Sequence, residues 1–252
     1  MSFPAAWIVP DWPAPAAVRA LVTTRSGGVS GAPYEGLNLG SHVGDAAAAV
    51  HANRRLLAAH LPAEPVWLEQ VHGVDVVRAD TASAGAAADA AFTREAGVVC
   101  AVLTADCLPV LFCDRGGSVV AAAHAGWRGL LGGVLERTVR AMGVPPDGLM
   151  VWLGPAIGPA AFEVGDEVRA AFLEHDMAAA AAFVPGRTAG KWMADIYALA
   201  RQRLAALGVD QVFGGGLCTV SDRTRFYSYR RDGVTGRFAS LVWITPREGA
   251  CY

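Results

Sequence analysis

The stretch Val119-Val120-Ala121-Ala122-Ala123-His124-Ala125-Gly126-Trp127-Arg128-Gly129 decides how this chain folds. Residues 119–123 are apolar and short enough to read as a buried strand. They run directly into a histidine and a turn with two glycines, and residues 130–142 then read as a helix, stopped by Gly143 and Pro145. A strand, a glycine turn and a helix in succession point to an α/β domain. Such folds place reactive groups at strand ends and in the turns that follow. His124 stands at that place.

Working outward, residues 98–103 and 108–113 read as two further apolar strands. The first breaks off at Thr104-Ala105-Asp106-Cys107, and the second meets Asp114-Arg115-Gly116-Gly117, a hairpin turn by composition. Residues 66–68 and 74–77 are β-prone and flank Glu69-Gln70-Val71-His72-Gly73, whereas residues 79–92 read as a loop of Ala, Ser, Gly and Asp. Nearer the N-terminus, residues 1–20 read as an irregular lead-in, because four prolines interrupt it. A β-prone run at 21–24 opens into a long Gly/Asn/Ser/Pro loop, from which Asp45 is expected to cap a helix over about 46–60. Downstream, residues 150–153 read as a strand and Asp166 as the cap of a helix to about 174. Residues 178–182 extend helical structure, 193–207 form an amphipathic helix, and 226–229 and 239–244 are the last strands. Gly214-Gly215-Gly216 reads as a tight backbone passage. No repeat, linker or composition shift divides the chain, so one α/β domain with a mixed sheet is expected over residues 1–252.

Composition excludes several classes of function. Among the 252 residues, 53% are hydrophobic and 17% charged, which argues against disorder. The formal net charge of −2 offers no basic field for nucleic acid. The N-terminal MSFPAAWIVPDWPAP lacks a basic segment and does not read as a signal peptide. The most apolar region, residues 98–125, is interrupted by Asp106, Asp114 and Arg115, so no membrane span is expected. The cysteines Cys100, Cys107, Cys113, Cys218 and Cys251 are odd in number and unpaired in spacing. A reducing cytoplasm, and action as a monomer, are the expectations.

His72, Cys107 and His124 form the set with the most chemistry. Two imidazoles and a thiolate supply three ligands for Zn²⁺ and leave the fourth position to water or substrate, the pattern of a catalytic zinc site. Their separations, 35 and 17 residues, match no short zinc spacing. A buried thiol beside two hydrogen-bonded turn histidines therefore stays open as a plainer reading. Asp106 and Gln70, adjacent to the set, could orient a ligand or a bound water. Arg128, at the start of a helix, and Arg25, ahead of Ser26-Gly27-Gly28, suit an anion such as phosphate but equally suit a solvated surface. His42, His51, His60 and His175 have no partner spacing and read as surface or capping residues. The deaminase zinc signature, the G-x-S-x-G elbow and the phosphate-binding P-loop are all missing from the sequence. A multi-copper oxidase needs more imidazole ligands than six histidines readily supply.

Seven segments occur in a telling order: Thr23-Thr24-Arg25-Ser26-Gly27-Gly28-Val29-Ser30, Leu37-Asn38-Leu39-Gly40, Gln70-Val71-His72-Gly73, Thr104-Ala105-Asp106-Cys107, His124-Ala125-Gly126-Trp127-Arg128-Gly129, Gly154-Pro155-Ala156-Ile157-Gly158 and Phe226-Tyr227-Ser228-Tyr229-Arg230-Arg231-Asp232-Gly233. Together they resemble the YfiH family, long labelled polyphenol oxidase or laccase-domain proteins, over about residues 20–245. The resemblance implies a four-layer α/β/β/α fold, a mixed β-sandwich with helices outside. It implies a cytoplasmic zinc enzyme that phosphorolyses adenosine, inosine, guanosine and methylthioadenosine and deaminates adenosine. It places the metal ligands at His72, Cys107 and His124. Asp106 becomes the candidate general acid, by adjacency alone. Arg25, Asn38, Gln70, Arg128 and Arg230 become the candidate residues for nucleoside and phosphate. Three rivals use the same features. One is a copper-dependent polyphenol oxidase. Another is a metal-free cysteine hydrolase with Cys107 as nucleophile, His124 as base and His72 as orienter. The third is a cell-wall precursor editing role, attached to some relatives of the family.

Overall fold

The computed structural model describes residues 3–246. In chain order the elements are β1 (Val18–Val22), α1 (Ala47–Ala58), β2 (Val76–Arg78), β3 (Ala90–Thr93), β4 (Val99–Thr104), β5 (Leu108–Asp114), β6 (Val120–Ala125), α2 (Trp127–Gly132) and α3 (Val134–Met142). There follow β7 (Leu149–Leu153), β8 (Glu163–Gly165), α4 (Asp166–His175), β9 (Phe183–Pro185), β10 (Lys191–Ala194), α5 (Ile196–Ala206), β11 (Gln211–Gly214), α6 (Tyr229–Asp232) and β12 (Phe238–Ile244). A six-stranded mixed sheet runs β11-β7-β5-β6-β3-β2, a three-stranded sheet runs β1-β12-β4, and a small third sheet runs β8-β10-β9.

Strand pleating converts the apolar runs into layers. In β6, Ala121, Ala123 and Ala125 face the core shared with the helices, while Val120 and Ala122 face the three-stranded sheet. β5 divides the same way, with Leu108, Val110 and Phe112 on one side and Leu111 and Cys113 on the other. In β12, Phe238 and Val242 face the large sheet, and Ala239, Leu241 and Trp243 face Leu57 of α1. Because both faces of these strands are covered, their sequences are continuously apolar rather than alternating. The result is a sandwich of two sheets with α1 outside one and α2, α3 and α5 outside the other: four layers, α/β/β/α.

Several boundaries differ from the sequence expectations, each for a local reason. The lead-in contains order, since Ile8 bridges Val22 and β1 begins at Val18 rather than 21. The expected loop over 79–92 ends in β3, which pairs with β6 through Ala90 to Thr93. The strand expected at 66–68 shrinks to a single bridge from Val66 to Cys100. The helix expected over 130–142 is two helices, parted by Gly133 at φ 97°. The helix expected from 193 starts at Ile196: Met193 and Ala194 belong to β10, and the Asp195 carboxylate accepts from Tyr197 and Ala198 N–H to cap α5. Residues 226–229 are not a strand; Phe226 and Tyr227 are buried but irregular, and Tyr229 opens α6. The helical structure expected over 178–182 is present as a 3₁₀ helix, Met177–Ala182. Neither expected acidic cap holds. Asp45 bonds instead with Ser30 and Asn38, and Asp166 accepts from the Trp192 indole at 2.6 Å. Cys251 lies outside the described residues, and the other four cysteines are free thiols. Among the described residues no helix is long and apolar enough to cross a membrane.

Candidate metal centre and its cavity

The chain crosses from one sheet to the other at the sandwich edge. β4 ends in the three-stranded β1-β12-β4 sheet at Thr104 and β5 starts in the six-stranded sheet at Leu108, leaving Ala105, Asp106 and Cys107 to make the crossing. So short a link requires a sharp bend, and Asp106 takes φ 96°, a conformation that non-glycine residues rarely adopt. Its side chain is fixed accordingly. One carboxylate oxygen accepts from Thr219 Oγ1 at 2.5 Å and the other from Arg230 N at 2.6 Å, while its carbonyl accepts from Ile157 N. With each oxygen accepting one bond, Asp106 anchors the bend to Thr219 and to the backbone of Arg230.

The bend delivers the Cys107 thiol beside two imidazoles. His124 lies within β6, not after it; it is opposite Pro109, and the pleat that turns Val120 and Ala122 inward turns its ring toward the gap between the sheets. His72 sits in the turn before β2 at φ 59°. The three ligand atoms lie within 4.8 Å of one another, and the Cys107 Sγ is 3.9 Å from His72 Nε2. In a tetrahedral zinc site, bonds of about 2.0–2.3 Å set neighbouring donors about 3.4–3.6 Å apart, so a small inward closure suffices. The donor types fit zinc, and three donors leave one position open.

The electrostatics favour a bound cation. Burial alone pushes the Cys107 thiol up, but His124 and His72 beside it more than offset that and bring it to about 6. Burial alone would lower His124, but the adjacent thiolate and the Asp89 carboxylate raise it to about 9. Both shifts favour a thiolate at Cys107, the form in which a cysteine ligates a metal ion. By contrast, burial pushes Cys113 up to about 12 and Cys100 higher still, so those thiols are inert.

A cavity of about 450 Å³ opens over the three ligands. That is enough for a small organic ligand. Its wall includes Trp127, Phe162 and Tyr229 as aromatic faces, and Arg128, Arg230 and Arg237 as cations, against one carboxylate, Asp106. Of the residues expected to bind substrate, Arg128, Arg230 and Gln70 line it. Gln70 is largely committed to structure, because its amide clamps Leu103 N–H and C=O at 2.7 and 2.8 Å. The other two expected residues lie outside the lining. Arg25 stacks over Tyr227 and donates to Arg223 O. Asn38 is fully buried, accepting from Gly40 and Arg237 N–H and donating to Asp45.

Three residues of this region escape sequence reading. Asp89 is an isolated acid inside an alanine run, and that isolation was its only signal. His42 is exposed, as its reading as a surface residue expects, and it also lines the cavity. Partial burial and the charges of Arg237 and Arg54 hold its imidazole below the ordinary pKa. Arg237 stands immediately before β12 and also lines the cavity. Gly126 has a spatial role: at φ −59° any residue would suit its backbone, but a methyl there would lie 3.0 Å from Cys107 Sγ and 3.2 Å from His72 Cδ2.

Residues 19–245 match a family described as multi-copper polyphenol oxidoreductase laccase. The chain is 64% identical over 239 residues to purine nucleoside phosphorylase PA4543 of Pseudomonas aeruginosa, covering 95% of this chain and 98% of that protein. It is 56% identical over 240 residues to purine nucleoside phosphorylase YfiH of Escherichia coli, covering 94% and 98%. In structure it resembles protein NMB0706 of Neisseria meningitidis, with a TM-score of 0.92 and 54% identity over 96% of this chain and 100% of the other.

Proposed function

The chain belongs to the multi-copper polyphenol oxidoreductase laccase family, and from that premise we propose that it is an enzyme of the kind its relatives are named for, a purine nucleoside phosphorylase. The observation that carries the proposal is the cavity itself: aromatic faces for a purine and three arginines for an anion meet above a His₂Cys ligand set. Its substrates are adenosine, inosine, guanosine and methylthioadenosine together with phosphate, and adenosine deamination is a second activity of the same cavity.

In phosphorolysis a phosphate oxygen bonds to C1′ while the bond from C1′ to the purine nitrogen breaks, and the base leaves with the electron pair and takes up a proton. Arg128, Arg230 and Arg237 suit the incoming dianion, since guanidinium groups bind phosphate bidentately. Asp106 holds the backbone of Arg230 in place, and Trp127, Phe162 and Tyr229 exclude water from the base. His72, Cys107 and His124 would hold zinc, which when bound supplies a concentrated positive charge to polarise oxygen atoms of the reactants. Zinc is preferred to copper because a chain with six histidines has few imidazoles for a multi-copper cluster. The free thiols support a reducing, cytoplasmic setting.

The lowered pKa of Cys107 favours one alternative, a metal-free cysteine hydrolase. Elemental analysis separates the two, with about one zinc per chain expected for an open His₂Cys site. The direct test is incubation with adenosine or inosine and phosphate. Release of free base with ribose 1-phosphate is expected. Absence of both, with oxidation of phenols instead, would overturn the proposal.

A further inference from the structure

We propose that Asp89 is the positioning residue of this centre: one buried carboxylate that fixes the backbone of one metal ligand and the ring of another. The inference rests on the reading of His72, Cys107 and His124 as a metal site. Asp89 has no exposed surface, and four donors converge on it. Its Oδ1 accepts from His72 N at 3.0 Å and from His124 Nδ1 at 2.8 Å, and its Oδ2 accepts from Val71 N at 3.2 Å and Gly73 N at 2.6 Å. Its own backbone is tied to both neighbours, since its carbonyl accepts from His124 N at 2.7 Å and its N–H donates to Asp75 O at 3.0 Å.

Each bond has a consequence for the ligands. Three successive N–H groups pointing at one carboxylate hold the turn that keeps His72 at φ 59°, a backbone state with little intrinsic stability for histidine. The bond to Nδ1 places the proton of His124 there and leaves Nε2 as the ligand atom facing Cys107. Carboxylates behind metal-bound histidines act in this way: they set tautomer and orientation and raise ligand basicity. Here the same group serves two ligands at once, so a fault at Asp89 moves both imidazoles.

All four partners are donors, which explains the choice of carboxylate over amide. An asparagine would offer one accepting oxygen and turn an NH₂ group against N–H groups that have no other partner. Asp89→Asn should therefore weaken zinc binding about 10–100-fold, read by competition with a chromophoric chelator. In the cobalt-loaded variant the thiolate-to-metal absorption band should persist, because Cys107 is untouched, while the ligand-field bands shift. A zinc affinity within about twofold of the parent protein would overturn the inference.

A second measurement needs no variant and decides the matter should Asp89→Asn fail to fold. In the zinc-loaded parent protein, ¹⁵N spectra of histidine side chains should show His124 protonated at Nδ1, with slow solvent exchange, and bound to metal through Nε2. Metal on Nδ1, or an Nδ1 without a proton, would overturn it. A parent protein that binds no zinc would overturn the metal reading and this inference together. Tight zinc binding that survives Asp89→Asn would overturn this inference alone.

Discussion

Two buried polar clusters stand on either side of the three-stranded sheet, and only one of them has anything left to bind. The first fastens the long loop between β1 and α1. Ser30 donates to Asp45, Asn38 donates to Asp45, and Asn53 donates to Ser30 and to the carbonyls of Gly36 and Asn38 while accepting from Val29 N–H. Its donors and acceptors satisfy one another. The second cluster is built around Asp89. There the carboxylate is likewise filled, but Cys107, His72 and His124 also line a cavity, each with a ligand atom to spare. Both clusters assemble from loops and turns, and both are hydrogen-bonded on their protein side. A self-satisfied network specifies a fold, whereas one with unsatisfied ligand atoms on a single side specifies a site.

That contrast breaks most sharply at Cys107. Cys107→Ala should lower phosphorolysis by about three orders of magnitude or more, roughly 4 kcal/mol in the barrier. Zinc should leave the protein, yet thermal melting of the metal-free form should stay near that of the parent. Full zinc occupancy with normal turnover in this variant would contradict the ligand assignment.

The opposite pattern is expected at Asn53, at the heart of the closed network. Asn53→Ala strands several buried partners and should cost about 2–4 kcal/mol of stability, lowering the melting temperature by about 5–12 °C. Zinc content at a temperature where the protein is folded should be unchanged. Calorimetry and metal analysis on the same sample check both halves.

The arginines sharpen the comparison at smaller scale. Arg128→Ala removes a cation from the cavity wall and should raise the apparent KM for phosphate about 10–100-fold, equivalent to about 1.5–3 kcal/mol. Adenosine deamination should fall much less, because it needs no dianion. Equal losses in both reactions would point to general damage.

Arg25→Ala gives the smallest effect. Sequence reading puts Arg25 in the same class as Arg128, but its guanidinium lies over Tyr227 and outside the cavity lining. The KM for phosphate should change by less than about twofold, within the range of a surface cation far from the ligand.

Legibility from sequence follows the range of the interactions involved. The apolar runs that became β4, β5 and β6 were readable because burial on both faces leaves a local signature. Cys107 and the two histidines were readable as ligand types, because few side chains can do that chemistry. Asp89 was not, because its meaning depends on meeting a residue 35 positions away. The same holds for residues 226–229, whose aromatic character implied a strand while tertiary packing buried Phe226 and Tyr227 without pairing them. Positive φ at His72 and Asp106 has only a weak sequence signal: aspartate and histidine are enriched there among non-glycine residues, but most of them lie elsewhere. Asn38 and Arg25 show what a motif leaves unsaid about contacts. Each stands in a distinctive motif, and each is occupied with holding a loop rather than a ligand.

Gly126 turns the strand-to-helix motif into a diagnostic for related genomes. A methyl at this position would leave the turn's backbone undisturbed while crowding Cys107 and His72. A homologue with alanine there would still be spelled with the same strand, helix and ligands, and would still be gathered into the family by overall similarity. Its Cys107 and His72 side chains would have to give way by a few tenths of an ångström, so its metal affinity is expected to fall while its fold is kept.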